Sequence, residues 1–240
     1  MKKLYFNYID SFKGLSKKIW YLALITLVNR AGTMVIPFLS LYLSKDLDFS
    51  KDDIGWILVC FGIGSVIGSW LGGKLTDIIG FYKVMSYSLF VTGLSFIALQ
   101  YISSFWGLCL AILFLMSVAD TFRPALFVSL KTYSKPENIT RSLALIRLAI
   151  NAGMGIGPTI AGLVIVVKGY GMLFWIDGLT CILAILLFRY LVKAPDKKVS
   201  LITNTEHAIV EKNGVYKDKT YWIFLGICFF FVMGFFQLIF

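Results

Sequence analysis

Long apolar stretches separated by short polar turns set the rhythm of this chain. Trp20–Leu43, Ile54–Gly73, Val84–Ile102, Phe105–Leu130, Leu143–Val167, Met172–Val192 and Tyr221–Phe240 are the seven apolar runs. Each is ~20 residues or longer, enough to cross a ~30 Å hydrocarbon core as helix. A lone strand at that depth would leave its backbone unpaired in lipid, so helix is the expected state. The turns are only a few residues, as at Ser103-Ser104 and Lys168–Gly171, until Lys193–Thr220, which is polar, contains Pro195 and carries no apolar run. The pattern predicts an all-α membrane protein. Residues 1–19 form a polar N-terminal segment, 20–192 a six-helix bundle, 193–220 a linker with helix around Asn204–Lys212, and 221–240 a seventh transmembrane helix. Within the first segment, Leu4–Leu15 reads either as an amphipathic helix on the membrane surface or as a disordered tail. No cleavable signal is expected, because the first apolar run is too long for a signal core and no small-residue cleavage site follows it.

Composition agrees with this reading and charge adds a direction. The chain is 58% hydrophobic and 15% charged, against about 25% charged in soluble domains. A net charge of +10 over 240 residues invites a nucleic-acid reading, but its distribution argues against one. Seventeen of the 23 Lys and Arg lie in the N-terminal segment, the turns after the second and fourth runs, and Arg189–Lys219. Only Lys45, Lys51 and Lys168 fall on the other side. That asymmetry is the positive-inside pattern, and it places the N-terminus in the cytoplasm; the expected location is the plasma membrane, a bacterial cytoplasmic membrane, crossed several times.

Cys60, Cys109, Cys181 and Cys228 fall one to a run, without disulfide or metal spacing, and read as small packing residues. The single histidine, His207, is in the linker. With no nucleophile–base pair, metal-ligand cluster or phosphate loop, neither an enzyme, a metal site nor a cofactor is expected.

Ionisable groups inside spans are costly, and each is a functional candidate by default. At a rise of ~1.5 Å per residue, Arg30 lies ~15 Å into the first run, and Asp120 and Arg147 both lie ~8 Å from the cytoplasmic boundary. Arg123 lies nearer that boundary, and Asp177 is far off towards the outer side. Level placement makes Arg147 the expected partner of Asp120, with Arg30 a step above. Asn29 and Arg30 are expected to line a polar cavity, as are Arg147 and Asn151, which share a stripe on the fifth run. The alternative is a static Asp120–Arg147 pair that pins two helices. In the second run, Gly64, Gly68 and Gly72 recur every fourth residue, a spacing that allows close helix approach either in packing or at a mobile contact.

Two motifs resemble a known family. Gly72-Gly73-Lys74-Leu75-Thr76-Asp77-Ile78-Ile79-Gly80-Phe81-Tyr82-Lys83 resembles the signature loop between the second and third helices of the major facilitator superfamily, Gly-x-Leu-x-Asp-x-x-Gly followed by basic residues. Gly73, Leu75, Asp77, Gly80 and Lys83 fall on that pattern, whereas Ile78 and Phe81 stand where basic residues are expected. Glycines 73 and 80 are expected to allow a tight turn, with Asp77 near helix N-termini. In the fifth run, Gly153, Gly157, Pro158, Ala161 and Gly162 are similar to the Gly-x-x-x-Gly-Pro-x-x-Gly-Gly motif of the drug–proton antiporter branch, with Ala161 in place of one glycine. A bend at Pro158 is expected.

The resemblance implies one six-helix half of a twelve-helix fold, a linker and the first helix of a second half, so the chain looks truncated. It implies alternating access about a midplane site, with small-molecule substrate and protons as partners besides the bilayer. A proton-coupled multidrug or small-solute antiporter is the favoured branch. Sugar or peptide uptake is the rival within the class, Asn29-Arg30-Ala31-Gly32 being similar to the peptide-transporter first helix without its acidic residues. The rival outside the class is a remnant or half-transporter that needs a partner chain or self-association to cover its charged face.

Overall fold

The computed structural model describes Phe12, residues 14–193 and residues 219–237. The expected linker helix around Asn204–Lys212 and most of Leu4–Leu15 lie outside the described residues. The elements are α1 (Lys17–Ala31), α2 (Val35–Lys45), α3 (Lys51–Ile79), α4 (Phe81–Leu99), α5 (Phe105–Ala119), α6 (Phe122–Tyr133), a 3-10 turn (Pro136–Asn138), α7 (Ile139–Lys168), α8 (Gly171–Leu191) and α9 (Lys219–Gln237). They form two compact units, Met1–Ala194 and Pro195–Phe240. In the first, six stretches are long and apolar enough to cross a membrane. Span one is Lys17–Lys45, span two Lys51–Ile79, span three Phe81–Leu99, span four Phe105–Tyr133, span five Pro136–Lys168 and span six Gly171–Leu191. In the second unit α9 is apolar from Trp222 to Phe236, between Lys219 at its start and Gln237 at its end.

Spans one and four are not continuous helices, as the runs alone had implied. Span one breaks at Gly32–Met34 and span four at Asp120–Thr121. A proline explains each. Pro37 is the third residue of α2 and Pro124 the third of α6. A proline ring collides with the carbonyl four residues back, here that of Thr33 and of Asp120, each within its break. At the third helical position the missing N–H falls among donors that have no intrahelical partner anyway. Span five, by contrast, runs as helix through Pro158.

Small residues set the helix pairings. A Cβ on Gly64, Gly68 or Gly72 would come within 2.6–2.7 Å of the backbone of Leu113, Ser117 or Thr121. The whole ladder therefore packs α3 along span four, in parallel register. On span five, a Cβ at Gly153 would lie 2.5 Å from Arg30 Cβ, and one at Gly157 3.0 Å from the Ala31 carbonyl. Gly93 of α4 and Gly178 of α8 sit backbone to backbone: a Cβ on either would come within 2.8–2.9 Å of the other's carbonyl oxygen. So span two lies on span four, span five on span one, and span three on span six. Exchanging spans one to three with four to six maps this set of pairs onto itself, and maps one broken span onto the other. That is the relation expected of two inverted three-helix repeats.

The core is two apolar clusters stacked along the bundle. One is built around Leu22, Met85, Phe122, Ile146 and Phe188, the other around Leu43, Ile57, Leu108, Ile112 and Phe174. Between them spans one, three, four and five carry a set of polar residues and glycines: Asn29, Arg30, Thr92, Gly93, Asp120, Asn151 and Gly153. Both breaks fall at this level.

Candidate functional site

Arg30 ends α1 at the break of span one. Its room comes from Gly153, whose missing side chain leaves the space the arginine stem occupies. Nε is sealed from solvent and has no hydrogen-bond partner among the described residues. The guanidinium stands within electrostatic reach of Asp120 and Arg123 across the bundle. Asp120, 7% exposed, caps the end of α5 and pairs with Arg123 Nε at 3.2 Å. Arg123, its side chain 58% exposed, reaches back from the second residue of α6. The expected Asp120–Arg147 pair is therefore replaced by a local one. Three residues along a chain that turns between two helices bring Asp120 and Arg123 together more directly than a second span can. Arg147 and Asn151 lie exposed on α7, with no hydrogen bond or ion pair among the described residues, on a different face from Gly153 and Gly157.

Asn29 Nδ2 donates to Cys181 Sγ at 3.4 Å, tying α1 to α8. One turn before Cys181 lies Asp177, 1% exposed. Its Oδ1 accepts from the Met34 amide at 2.8 Å and its Oδ2 from the Val35 amide at 3.0 Å. These are unpaired donors at the start of α2, where the partial positive charge of a helix N-terminus favours a carboxylate. The sequence places Asp177 far from the other charges, yet it closes the break that presents Arg30. A partial signal was available: Pro37 favours a helix start inside a membrane span, and a helix start there needs an acceptor.

The cysteines hold a further surprise. Cys60 and Cys109, scattered in sequence, are neighbours across the span two–span four interface. Cys60 lies four residues before Gly64, and Cys109 four before Leu113, so they extend the same register.

Taken together these residues form a polar layer with two helix starts, two arginines around one carboxylate, and glycine-lined helix contacts. The family model described as "Major Facilitator Superfamily" matches residues 22–240. The chain belongs to the major facilitator superfamily. Two Bacillus subtilis (strain 168) proteins, each named as an uncharacterized MFS-type transporter, are similar to it. YwoD is 25% identical over 173 residues, 72% of this chain and 38% of its own length. YtbD is 27% identical over 178 residues, 72% of this chain and 44% of its own length. The chain thus spans well under half of these relatives.

As a multi-pass membrane protein of this superfamily, the chain places its two motifs as follows. Gly73, Leu75 and Asp77 belong to the last turns of α3, and Lys83 to the first turn of α4. Gly80, at φ +84°, alone makes the turn between them. Gly73 is helical with open space beside it, so the turn does not use it, contrary to expectation. Asp77 is exposed at the end of α3, four residues before the start of α4. On span five, Gly153, Gly157 and Ala161 are buried, the first two against the break of span one, whereas Pro158 and Gly162 are only partly covered.

Proposed function

We propose that this chain supplies the N-terminal half of a secondary active transporter that moves drugs or other small solutes outward in exchange for protons. The observation that carries the reading is the Arg30–Asp120–Arg123 group. It lies in the polar layer between two apolar clusters, beside breaks in two spans. Charges at that depth are tolerated where they pair or face a cavity, and broken helices there supply free backbone groups to a substrate. The glycine contacts of span five on span one, and the likeness of that segment to the antiporter motif, favour the outward direction. In this reading residues 20–192 are the half-transporter, 193–220 the linker and 221–240 the first helix of the second half, whichever chain supplies the rest. The N-terminus, Asp77 and Lys83 face the cytoplasm.

The mechanism is alternating access, with Asp120 exchanging its proton as the cavity opens to either side. When Asp120 is ionised, Arg123 is paired and the cavity wall is closest to neutral; when it is protonated, both arginines are free. The test is dye efflux from energised vesicles containing the complete transporter. Asp120→Asn is expected to abolish the pH-driven component while membrane insertion is unchanged, and undiminished coupling would rule out this role. Two arginines to one carboxylate also favour a second reading, uptake of a sugar or peptide. Radiolabelled uptake into right-side-out vesicles separates the two.

A further inference from the structure

Of the two buried carboxylates among the described residues, Asp120 has a cation and Asp177 does not. Asp177 is matched by two backbone amides alone. The titratable and charged groups around it are few. On its own helix the nearest is Cys181, which also senses Arg30 of α1. From α2, Tyr42 packs its ring on Phe174, one turn before Asp177. From α4 the contacts on this face are Gly93 and Ile97, and from α7 the buried residue at this level is Ala161. Neither α4 nor α7 offers a titratable group here.

This geometry makes the carboxylate's two oxygens a pair of acceptors with one donor each. A carboxyl that binds a proton has only one good acceptor left, because its hydroxyl oxygen becomes a donor. One of the two amides of Met34 and Val35 is then left facing the weaker acceptor and a competing O–H donor, at a carboxyl sealed from bulk solvent. The break itself is already close-fitting: Gly32 lies against the Thr180 side chain, one turn beyond Asp177, and Asn29 is held by Cys181. Release at Met34–Val35 therefore frees the joint on which Asn29 and Arg30 are carried.

We propose that Asp177 is a proton-binding site and a positioning residue for span one. Ionised, it pins the start of α2 to α8 and fixes where Arg30 points; protonated, it lets α2 go and the joint at Gly32–Met34 opens. Its burial makes proton access itself dependent on that opening, which is the behaviour a coupling site requires. The coupling role rests on the transporter reading above, whereas the clamp does not.

Two measurements on the 240-residue chain in lipid nanodiscs test this. In pH-difference infrared spectra, a protonated-carboxyl band should grow in as pH is lowered, persist in Asp120→Asn and vanish in Asp177→Asn. Over the same range, amide hydrogen exchange in the segment holding Met34 and Val35, corrected for intrinsic exchange, should accelerate roughly tenfold or more, the scale of one charge-assisted hydrogen bond. Asp177→Glu should restore the band. A merely structural clamp predicts no such band and a flat exchange profile, and either result overturns the proposal. Should Asp177→Asn fail to fold, the parent protein's own exchange profile and the Asp177→Glu spectrum still decide. If both signatures appear but vesicles show no coupled transport, the transporter reading fails and the proton-operated clamp stands.

Discussion

Single side chains, or their absence, decide how closely the spans approach. A Cβ at Gly68 would sit 2.6 Å from the Ser117 carbonyl oxygen, and backbone cannot step aside as a flexible side chain can. Gly68→Val should therefore destabilise the bundle by about 1–3 kcal/mol, read as the midpoint of unfolding in mixed detergent. Gly73→Ala is the control: it lies on the same helix with nothing within 4 Å, and should be neutral or stabilising by up to ~1 kcal/mol through helix propensity. Gly80→Ala should cost about 1–3 kcal/mol, because φ +84° with ψ 149° suits glycine alone. Arg123→Gln should change stability by less than ~1 kcal/mol in the same assay, because the arginine is itself exposed and a second guanidinium stands near the buried carboxylate. Asp120 then keeps Arg30 within reach. The sequence showed the value of these glycines as a stripe, but not which neighbour each meets. Spacing by four residues fixes a helix face; it does not say whether that face meets span four of the same half or something outside it.

Among the elements, the breaks carry most of the meaning. The runs of apolar residues located the six spans of the first unit, because a length of ~20 residues is a strong signal. They concealed the two discontinuities, since membrane helices tolerate proline when neighbouring groups take up the freed backbone. Pro37 and Pro124 were visible, but what makes them breaks is the acceptor or turn that each finds. For span one that acceptor, Asp177, lies 143 residues further along the chain. This linkage predicts a coupling between Pro37 and Asp177. Pro37→Ala permits α1 and α2 to join and satisfy their own amides, which leaves Asp177 buried without donors. In a double-mutant cycle, Pro37→Ala and Asp177→Ala should be non-additive by about 1–3 kcal/mol. The parallel register of spans two and four has its own test. Mild copper–phenanthroline oxidation should join Cys60 to Cys109, so that fragments cut at the exposed Lys74 stay together until reduced.

For the molecule as a whole, charge and symmetry give different kinds of information. The imbalance of basic residues between the two ends is plain in the sequence and predicts orientation. A fusion reporter after Val192 should report a cytoplasmic location, and moving basic residues from the N-terminal segment to the Lys45–Lys51 turn should weaken that bias. The pseudo-twofold arrangement was not legible, because spans one and four share no obvious sequence. What they share is placement: a break, a proline at the third position beyond it, and a glycine-bearing helix laid against it. Each is a backbone requirement that many sequences can meet, so the repeat survives in geometry where residue identity does not display it.

The Asp177 clamp also bears on how the protein is made. The two broken spans are related in space but not in time. Span two is already synthesised when span four emerges, so its glycine ladder is waiting for the second break. Span one has no such host: the glycines that cover Arg30 and the carboxylate that caps Met34 and Val35 are all translated later. At about 5–20 residues per second, the 143 residues between Met34 and Asp177 correspond to roughly 7–30 s. For that interval span one carries a bare arginine and an uncapped helix start. It must wait at the interface, or in the insertion machinery, until span six arrives to complete it.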